Sequence, residues 1–247
     1  MSETKGTAIV TGGSRGIGRA VAVALAQDGY DIGFCYRSAG SEAEKTAQLI
    51  EAEGRSVYSE AVDVADHDSV RDFVAAAQEA LGPPTAAVAC AGVTQDRSVA
   101  LMRPDEWSTV LRTNLDGAFH LARGVITPMM KNRRGSIVLM SSVSAFSGNR
   151  GQANYAASKS GLHGLALSLS KEAGPYGVRV NVVAPGLIET DMTSTLPATA
   201  RKAASERISL GRFGTAHHVA EAVCFLCSQR ASYITGSILR VDGGLAL

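Results

Sequence analysis

Short apolar runs alternate with longer stretches of helical spacing along the whole chain, and that alternation restricts the fold more than any other feature. The runs fall at residues 7–11, 31–36, 56–62, 85–90, 136–141, 179–184 and 237–241. Between them, residues 16–28, 41–54, 66–81, 104–131, 155–173 and 219–227 read as helices. The apolar runs carry no regular polar face. That is the signature of strands covered on both sides, hence of a parallel sheet between two helical layers. No linker or low-complexity stretch interrupts the pattern. The expected fold is therefore α/β, a single doubly wound domain over 1–247 with a seven-stranded parallel sheet. With 45% hydrophobic residues the chain can bury a large core. The least regular region, 186–210, carries Thr190, Thr193, Ser194, Thr195 and Pro197 and is expected to form a lid over the site.

The first strand runs into Thr11-Gly12-Gly13-Ser14-Arg15-Gly16-Ile17-Gly18, which opens the first helix. Glycines at 12, 16 and 18 allow a tight turn and a close backbone approach, and the helix start offers free N–H groups to a pyrophosphate. The strand–turn–helix context makes this a dinucleotide loop, although its spacing differs from the commoner G-x-G-x-x-G. The end of the second strand, where an acidic residue would hold the ribose hydroxyls of NAD, reads Tyr36-Arg37 instead. Arg15 and Arg37 in reach of one point suit a 2′-phosphate, so the expected cofactor is NADP(H). Either arginine could equally be a solvated surface charge. Asp63-Val64 ends the third strand, and Asp63 either contacts the adenine or caps the following helix.

Tyr155-Ala-Ala-Ser-Lys159 places a phenol and an ammonium one helical turn apart. A neighbouring cation lowers a phenol's pKa and fits it for general acid–base work. Taken with Thr11 to Gly18, Asp63-Val64, Asn114, Ser142 and Pro185-Gly186, the chain resembles the short-chain dehydrogenase/reductase family over nearly its whole length. Such a protein has the Rossmann-type fold. Within that family the chain is similar to bacterial reductases of 3-oxoacyl chains held on acyl carrier protein, through Gly151-Gln-Ala-Asn-Tyr-Ala-Ala-Ser-Lys159, Val180-Asn-Val-Val-Ala-Pro-Gly186, Ile188-Glu-Thr-Asp-Met192 and Val241-Asp-Gly-Gly244.

The resemblance implies roles residue by residue. Tyr155 would give a proton to the substrate carbonyl oxygen, and Ser142 would hydrogen-bond that oxygen. Lys159 would hold the nicotinamide ribose and lower the Tyr155 pKa. Asn114 would hold a water leading from Lys159 to solvent. Gly12, Ser14, Arg15, Gly16, Ile17, Gly18, Arg37, Asp63, Val64, Ala91, Gly92, Pro185, Gly186, Ile188 and Thr190 would line the cofactor, with Tyr155 and Lys159. Read from the residues alone, Ser142 could be a turn residue and Asn114 a buried amide bonding the backbone. The family's Asn-Asn-Ala-Gly reads Ala89-Cys90-Ala91-Gly92 here. Cys90 cannot supply an amide hydrogen bond, which puts packing beside the cofactor in question.

A net charge of +1 argues against nucleic acid as a partner. No apolar run reaches the ~18 residues of a membrane span, and Met1 to Gly6 has no signal-peptide core. A cytoplasmic protein is expected. Cys224-x-x-Cys227 lies on one face of an amphipathic helix and has no second such pair, so no metal site is expected. Arg123, Lys131, Arg133 and Arg134 could dock an acidic carrier protein or simply be a solvated helix end. Tyr176 weakens the carrier reading. The family's tetramers make a homotetramer the expected assembly.

Overall fold

The computed structural model describes residues 4–38, 40–189 and 198–246. Its centre is a seven-stranded, wholly parallel sheet. The strands are β1 (Thr7–Thr11), β2 (Asp31–Tyr36), β3 (Val57–Ala61), β4 (Pro84–Ala89), β5 (Gly135–Met140), β6 (Val178–Pro185) and β9 (Ile238–Val241). Their spatial order is β3-β2-β1-β4-β5-β6-β9. A separate pair, β7 (Ile188–Glu189) with β8 (Gly214–Thr215), joins the two ends of the 186–210 region. Sequence reasoning expected all seven sheet strands within one or two residues, and it missed the small pair.

Side chains alternate across the sheet as pleating demands. Ala8, Val10, Ile32, Phe34, Val138 and Met140 face one helical layer. That layer comprises α1 (Gly16–Gln27), α2 (Gly40–Ala52) and α9 (Ala216–Cys227). Ile9, Cys35, Ile137 and Leu139 face the other layer, formed by α3 (His67–Leu81), α5 (Gly117–Lys131) and α7 (Ala153–Ala173). Cys227 is buried in the first of these layers and Cys224 packs beside it. The remaining α-helices among the described residues are α4 (Pro104–Leu111), the one-turn α6 (Ser144–Ser147) and α8 (Ala198–Glu206).

Three local expectations change. Ser41 followed three residues on by Glu44 has the capping-box pattern, but helix α2 begins at Gly40, so Ser41 lies inside it and first-turn Glu42 pairs with Arg19 at 2.6 Å. Helix α3 is capped by Asp66, whose carboxylate accepts from Ser69 N at 3.0 Å, while Asp63 accepts from Ala65 N. Asp63 is therefore not the cap. The long helical stretch 104–131 is interrupted by a π-helical turn, Arg112–Asp116, of the kind found at functional sites. The lid expectation rests partly on Thr190, Thr193, Ser194, Thr195 and Pro197, which lie outside the described residues.

Leu121 of α5 is fully buried against the sheet. Leu121→Ala is expected to cost about 2–5 kcal/mol of folding free energy, whereas Leu49→Ala, at an exposed position, should stay within about 0.5 kcal/mol. Urea unfolding of both variants checks the contrast.

Candidate active site

The chain turns to opposite sides after β1 and β4, and the crevice beyond the carboxyl ends of such strands is where doubly wound sheets bind ligands. The loops after β1 to β6 carry the residues singled out in the sequence, and α7 and the π-helical turn bring Tyr155, Lys159 and Asn114 to the same edge. Thr190 lies outside the described residues.

The loop after β1 is built for close approach. Gly12 has φ +70°, and a Cβ there would sit 2.9 Å from Ala91 Cα. A Cβ on Gly18 would stand 2.1 Å from the Gly12 carbonyl oxygen, so any side chain at 18 would push the turn off the helix start. Thr11 Oγ1 accepts from Ala91 N at 3.2 Å and ties this loop to the one after β4. The carbonyl of Ser14 accepts from Arg19 Nη2 and from Thr46 Oγ1. Turning that carbonyl toward α2 keeps it away from the ligand side, where a pyrophosphate needs N–H groups. Arg19, Glu42 and Thr46 were not foreseen. Only the adjacency of α1 and α2 reveals them. Arg15 and Arg37, in contrast, are exposed and have no ion pair or side-chain hydrogen bond among the described residues. Val64 is buried while Asp63 is exposed. Pro185 ends β6, and Gly186 N donates to Val241 O at 3.0 Å. Ile188 is buried in the two-residue β7.

Helix α7 carries the acid–base group. Lys159 is buried, and its Nζ donates to Met140 O at 2.7 Å, at the end of β5. It lies 5.7 Å from the centre of the Tyr155 ring. Ser141 Oγ donates to Lys159 O and bonds His163 Nε2 at 2.9 Å, which pins the helix to the same strand end. Asn114 accepts from Val93 N at 2.8 Å and donates to Val93 O and Ser158 Oγ. Ser158 Oγ donates in turn to Tyr155 O. Both amide hydrogens of Asn114 are thus used. A Cβ placed on Gly92 would be 3.3 Å from Asn114 Oδ1 and 3.4 Å from Lys159 Nζ, so these polar groups converge beside the loop after β4.

The electrostatics depart from expectation in one respect. The sequence pointed to Lys159 lowering the Tyr155 pKa, and the direction found is upward. Burial raises it, a hydrogen bond from Ser142 opposes the rise, and the charge of Asp96 adds to it. Lys159 spends its ammonium on a neutral carbonyl and is itself drawn down to about 8 by burial. Cys90 packs against the α1–α9 layer, and burial pushes its thiol up to about 12, so it sits neutral beside Lys159. The place of the family's amide is therefore filled by an apolar contact.

Arg133 and Arg134 flank the amino end of β5, whereas Ser142 follows its carboxyl end. A strand of 6 residues separates them, which spans ~20 Å. Arg133 donates to Pro175 O at 3.0 Å and Arg134 to Lys5 O at 2.9 Å. A surface cleft of about 1230 Å³ lies at this amino edge, lined by both arginines and by Lys5 and Arg179. None of the sequence-predicted catalytic or cofactor residues borders it.

Asn114→Ala would leave the Val93 N–H and C=O without their side-chain partner. The expected loss is about 1–3 kcal/mol, read as a lowered unfolding free energy.

A family model described as enoyl-(acyl carrier protein) reductase matches residues 12–246. The chain is 42% identical to the 3-oxoacyl-[acyl-carrier-protein] reductase FabG of Pseudomonas aeruginosa, covering 99% of both chains. It is 39% identical to the protein of the same name from Staphylococcus aureus, again over 99% of each. A crystal structure from Sinorhizobium meliloti, assigned by its description to the short-chain alcohol dehydrogenases, superposes with a TM-score of 0.94 at 35% identity. It covers 99% of this chain and 97% of that one. The family description and the relatives' names differ in the bond reduced and agree on reduction. The chain belongs to the short-chain dehydrogenase/reductase family of oxidoreductases, which use a nicotinamide cofactor.

Proposed function

We propose that the chain reduces a 3-oxoacyl thioester, held on acyl carrier protein or coenzyme A, to the 3-hydroxyacyl thioester with NADPH. Fatty-acid or polyketide synthesis is the setting for such a step. The observation carrying the reading is the convergence of Ser142, Tyr155 and Lys159 at the carboxyl edge of β5, in a chain 42% identical to a reductase of that name. A carbonyl reductase needs donors aimed at one developing oxyanion, which Ser142 and Tyr155 supply. Reduction of an enoyl carbon–carbon bond places its charge elsewhere, and the names of the relatives favour the ketone. We further propose one catalytic domain over 1–247 with 186–210 over the site, a cytoplasmic location, and a homotetramer formed through the exposed Trp107, Phe119 and Leu167 of α4, α5 and α7.

The cofactor fits the chain's own geometry. The space beside Gly12 and Gly18 admits only backbone, and Arg15 and Arg37 are uncommitted cations at the ends of β1 and β2. Gly12, Ser14, Gly16, Ile17 and Gly18 would bind the pyrophosphate. Arg15 and Arg37 would bind the 2′-phosphate, and Asp63 and Val64 the adenine. Ala91, Gly92, Pro185, Gly186, Ile188 and Thr190 would line the nicotinamide half. When bound, the nicotinamide supplies hydride to the carbonyl carbon. Tyr155 gives its proton to the carbonyl oxygen, which Ser142 also holds. A raised pKa keeps the phenol protonated at neutral pH, the state a proton donor for reduction requires. Lys159 holds the ribose hydroxyls, and Asn114 fixes the Ser158–Tyr155 turn and a water toward Lys159.

A second reading, a reductase of free small ketones, is favoured by one observation. The candidate carrier patch at Arg133 and Arg134 lies at the opposite end of β5 from Ser142. Charge reversal at both positions separates the two. It should raise KM for a carrier-bound substrate alone, and an equal effect on a small thioester would remove the docking patch.

NADPH oxidation, followed optically with an acetoacetyl thioester, is expected to proceed and to exceed NADH oxidation. Arg37→Glu should cost roughly tenfold to a hundredfold in NADPH affinity, as loss of a charged hydrogen bond does, and leave NADH binding unaffected. Tyr155→Phe should lower kcat by roughly a hundredfold or more with NADPH binding retained. Turnover surviving in that variant would end the proton-donor assignment.

A further inference from the structure

The loop after β4 and the loop entering α7 are clamped together directly in front of Tyr155. Gln152 Nε2 donates to Asp96 Oδ2 at 2.8 Å. Gln152 Oε1 accepts from Asn149 Nδ2 at 3.1 Å and from Ser144 Oγ at 3.4 Å. A carboxylate can only accept, so Asp96 dictates which way the Gln152 amide faces, and the amide in turn dictates where the Ser144 hydrogen goes. Ser144 N donates to Ser142 Oγ at 3.2 Å. With one Oγ lone pair occupied in this way, the Ser142 hydroxyl has fewer orientations open to it, and its effect on Tyr155 is to lower the phenol's pKa. Backbone and side-chain bonds brace the same junction. Arg97 N donates to Gly151 O at 2.7 Å and Asn154 Nδ2 to Gln95 O at 3.0 Å, while Arg97 pairs with the buried Glu106.

We propose that Asp96 is a positioning residue of the reduction, acting through Gln152 and Ser144 on the Ser142 hydroxyl. The inference rests on the roles given above to Ser142 and Tyr155. It extends them by a polar chain, Asp96–Gln152–Ser144–Ser142, that joins the exposed Asp96 to the Ser142 hydroxyl. The charge of Asp96 also favours the protonated phenol of Tyr155. The other charged or titratable groups nearby do not cancel it. Lys159, beneath the Tyr155 ring, is held by Met140 O, and Cys90 beside it stays neutral. Arg97 is committed to Glu106, and Arg150 is exposed with no partner among the described residues. Asp96 stands at the solvent rim, so its field is partly screened and its effect on Tyr155 is modest.

Charge and geometry are tested apart. Asp96→Asn keeps an acceptor for Gln152 and removes the charge, Asp96→Glu keeps the charge, and Gln152→Ala keeps Asp96 and breaks the chain. Ionisation of Tyr155 is read by tyrosinate absorbance against Tyr155→Phe, which needs no substrate. Turnover of the acetoacetyl thioester gives kcat and KM against pH. Asp96→Asn is expected to unfold at the wild-type temperature. It should move both the Tyr155 ionisation and the alkaline loss of kcat to lower pH by about half a unit, with Asp96→Glu restoring them. Gln152→Ala is expected to lower kcat roughly tenfold with KM for NADPH unchanged. Coincident titrations for wild type and Asp96→Asn, or an undiminished kcat in Gln152→Ala, would overturn the proposal. A shifted titration in a chain that does not reduce the thioester supports the Asp96 link and removes only the substrate assignment.

Discussion

The pairing of β1 with β4 is the contact on which the rest of the site depends. The two strands run parallel from Thr7 to Thr11 and Ala86 to Ala89, and the chain leaves them in opposite directions. Only at that seam can two successive loops face each other without a crossing connection between them. Thr11 Oγ1 and Ala91 N close the seam with a side-chain bond, and Gly12 lets the backbones touch. A side chain at position 12 would separate the loops, and the phosphate turn would lose its wall.

The second dependence runs from β5 to α7. Met140 O accepts from the Lys159 ammonium and Ser141 Oγ donates to the Lys159 carbonyl, so one strand end holds both the side chain and the backbone of that residue. The helix is thereby set in rotation and in depth, which brings Tyr155 to the carboxyl end of β5, where Ser142 follows. Burial then acts in opposite senses on the two groups, lowering the lysine and raising the tyrosine, because each loses the charged form on leaving water. A phenol held protonated is suited to donating a proton. The α4–α5 stretch supplies the third support, since its π-helical turn rotates Asn114 toward Val93 and Ser158.

Polar groups inside this edge are consistently paired. No buried side-chain nitrogen or oxygen among the described residues lacks a hydrogen-bond partner. In a low-dielectric interior an unpaired group is costly, and the site therefore comes with its donors already aimed rather than waiting to be ordered.

Much of the architecture was legible in the sequence by itself. The apolar runs determined the sheet strands to within one or two residues, because strands covered on both faces read as near-continuous apolar runs, with few polar residues, such as Ser136 and Asn181, that are hydrogen-bonded inside. The Gly12–Gly18 turn and the Tyr155–Lys159 spacing were equally readable, since both are local, each set by one turn of backbone. What only the tertiary structure decided are the contacts between elements far apart in the chain. Arg19 and Thr46 holding the Ser14 carbonyl is one such case, and Asp66 rather than Asp63 as the cap and the length of β5 between Arg134 and Ser142 are two more points that the backbone path settled. The direction of the Tyr155 pKa is a fourth. Spacing brings the ammonium near, but the sign depends on how much water each group loses and on which carbonyl the lysine meets, and those are fixed by packing across the sheet.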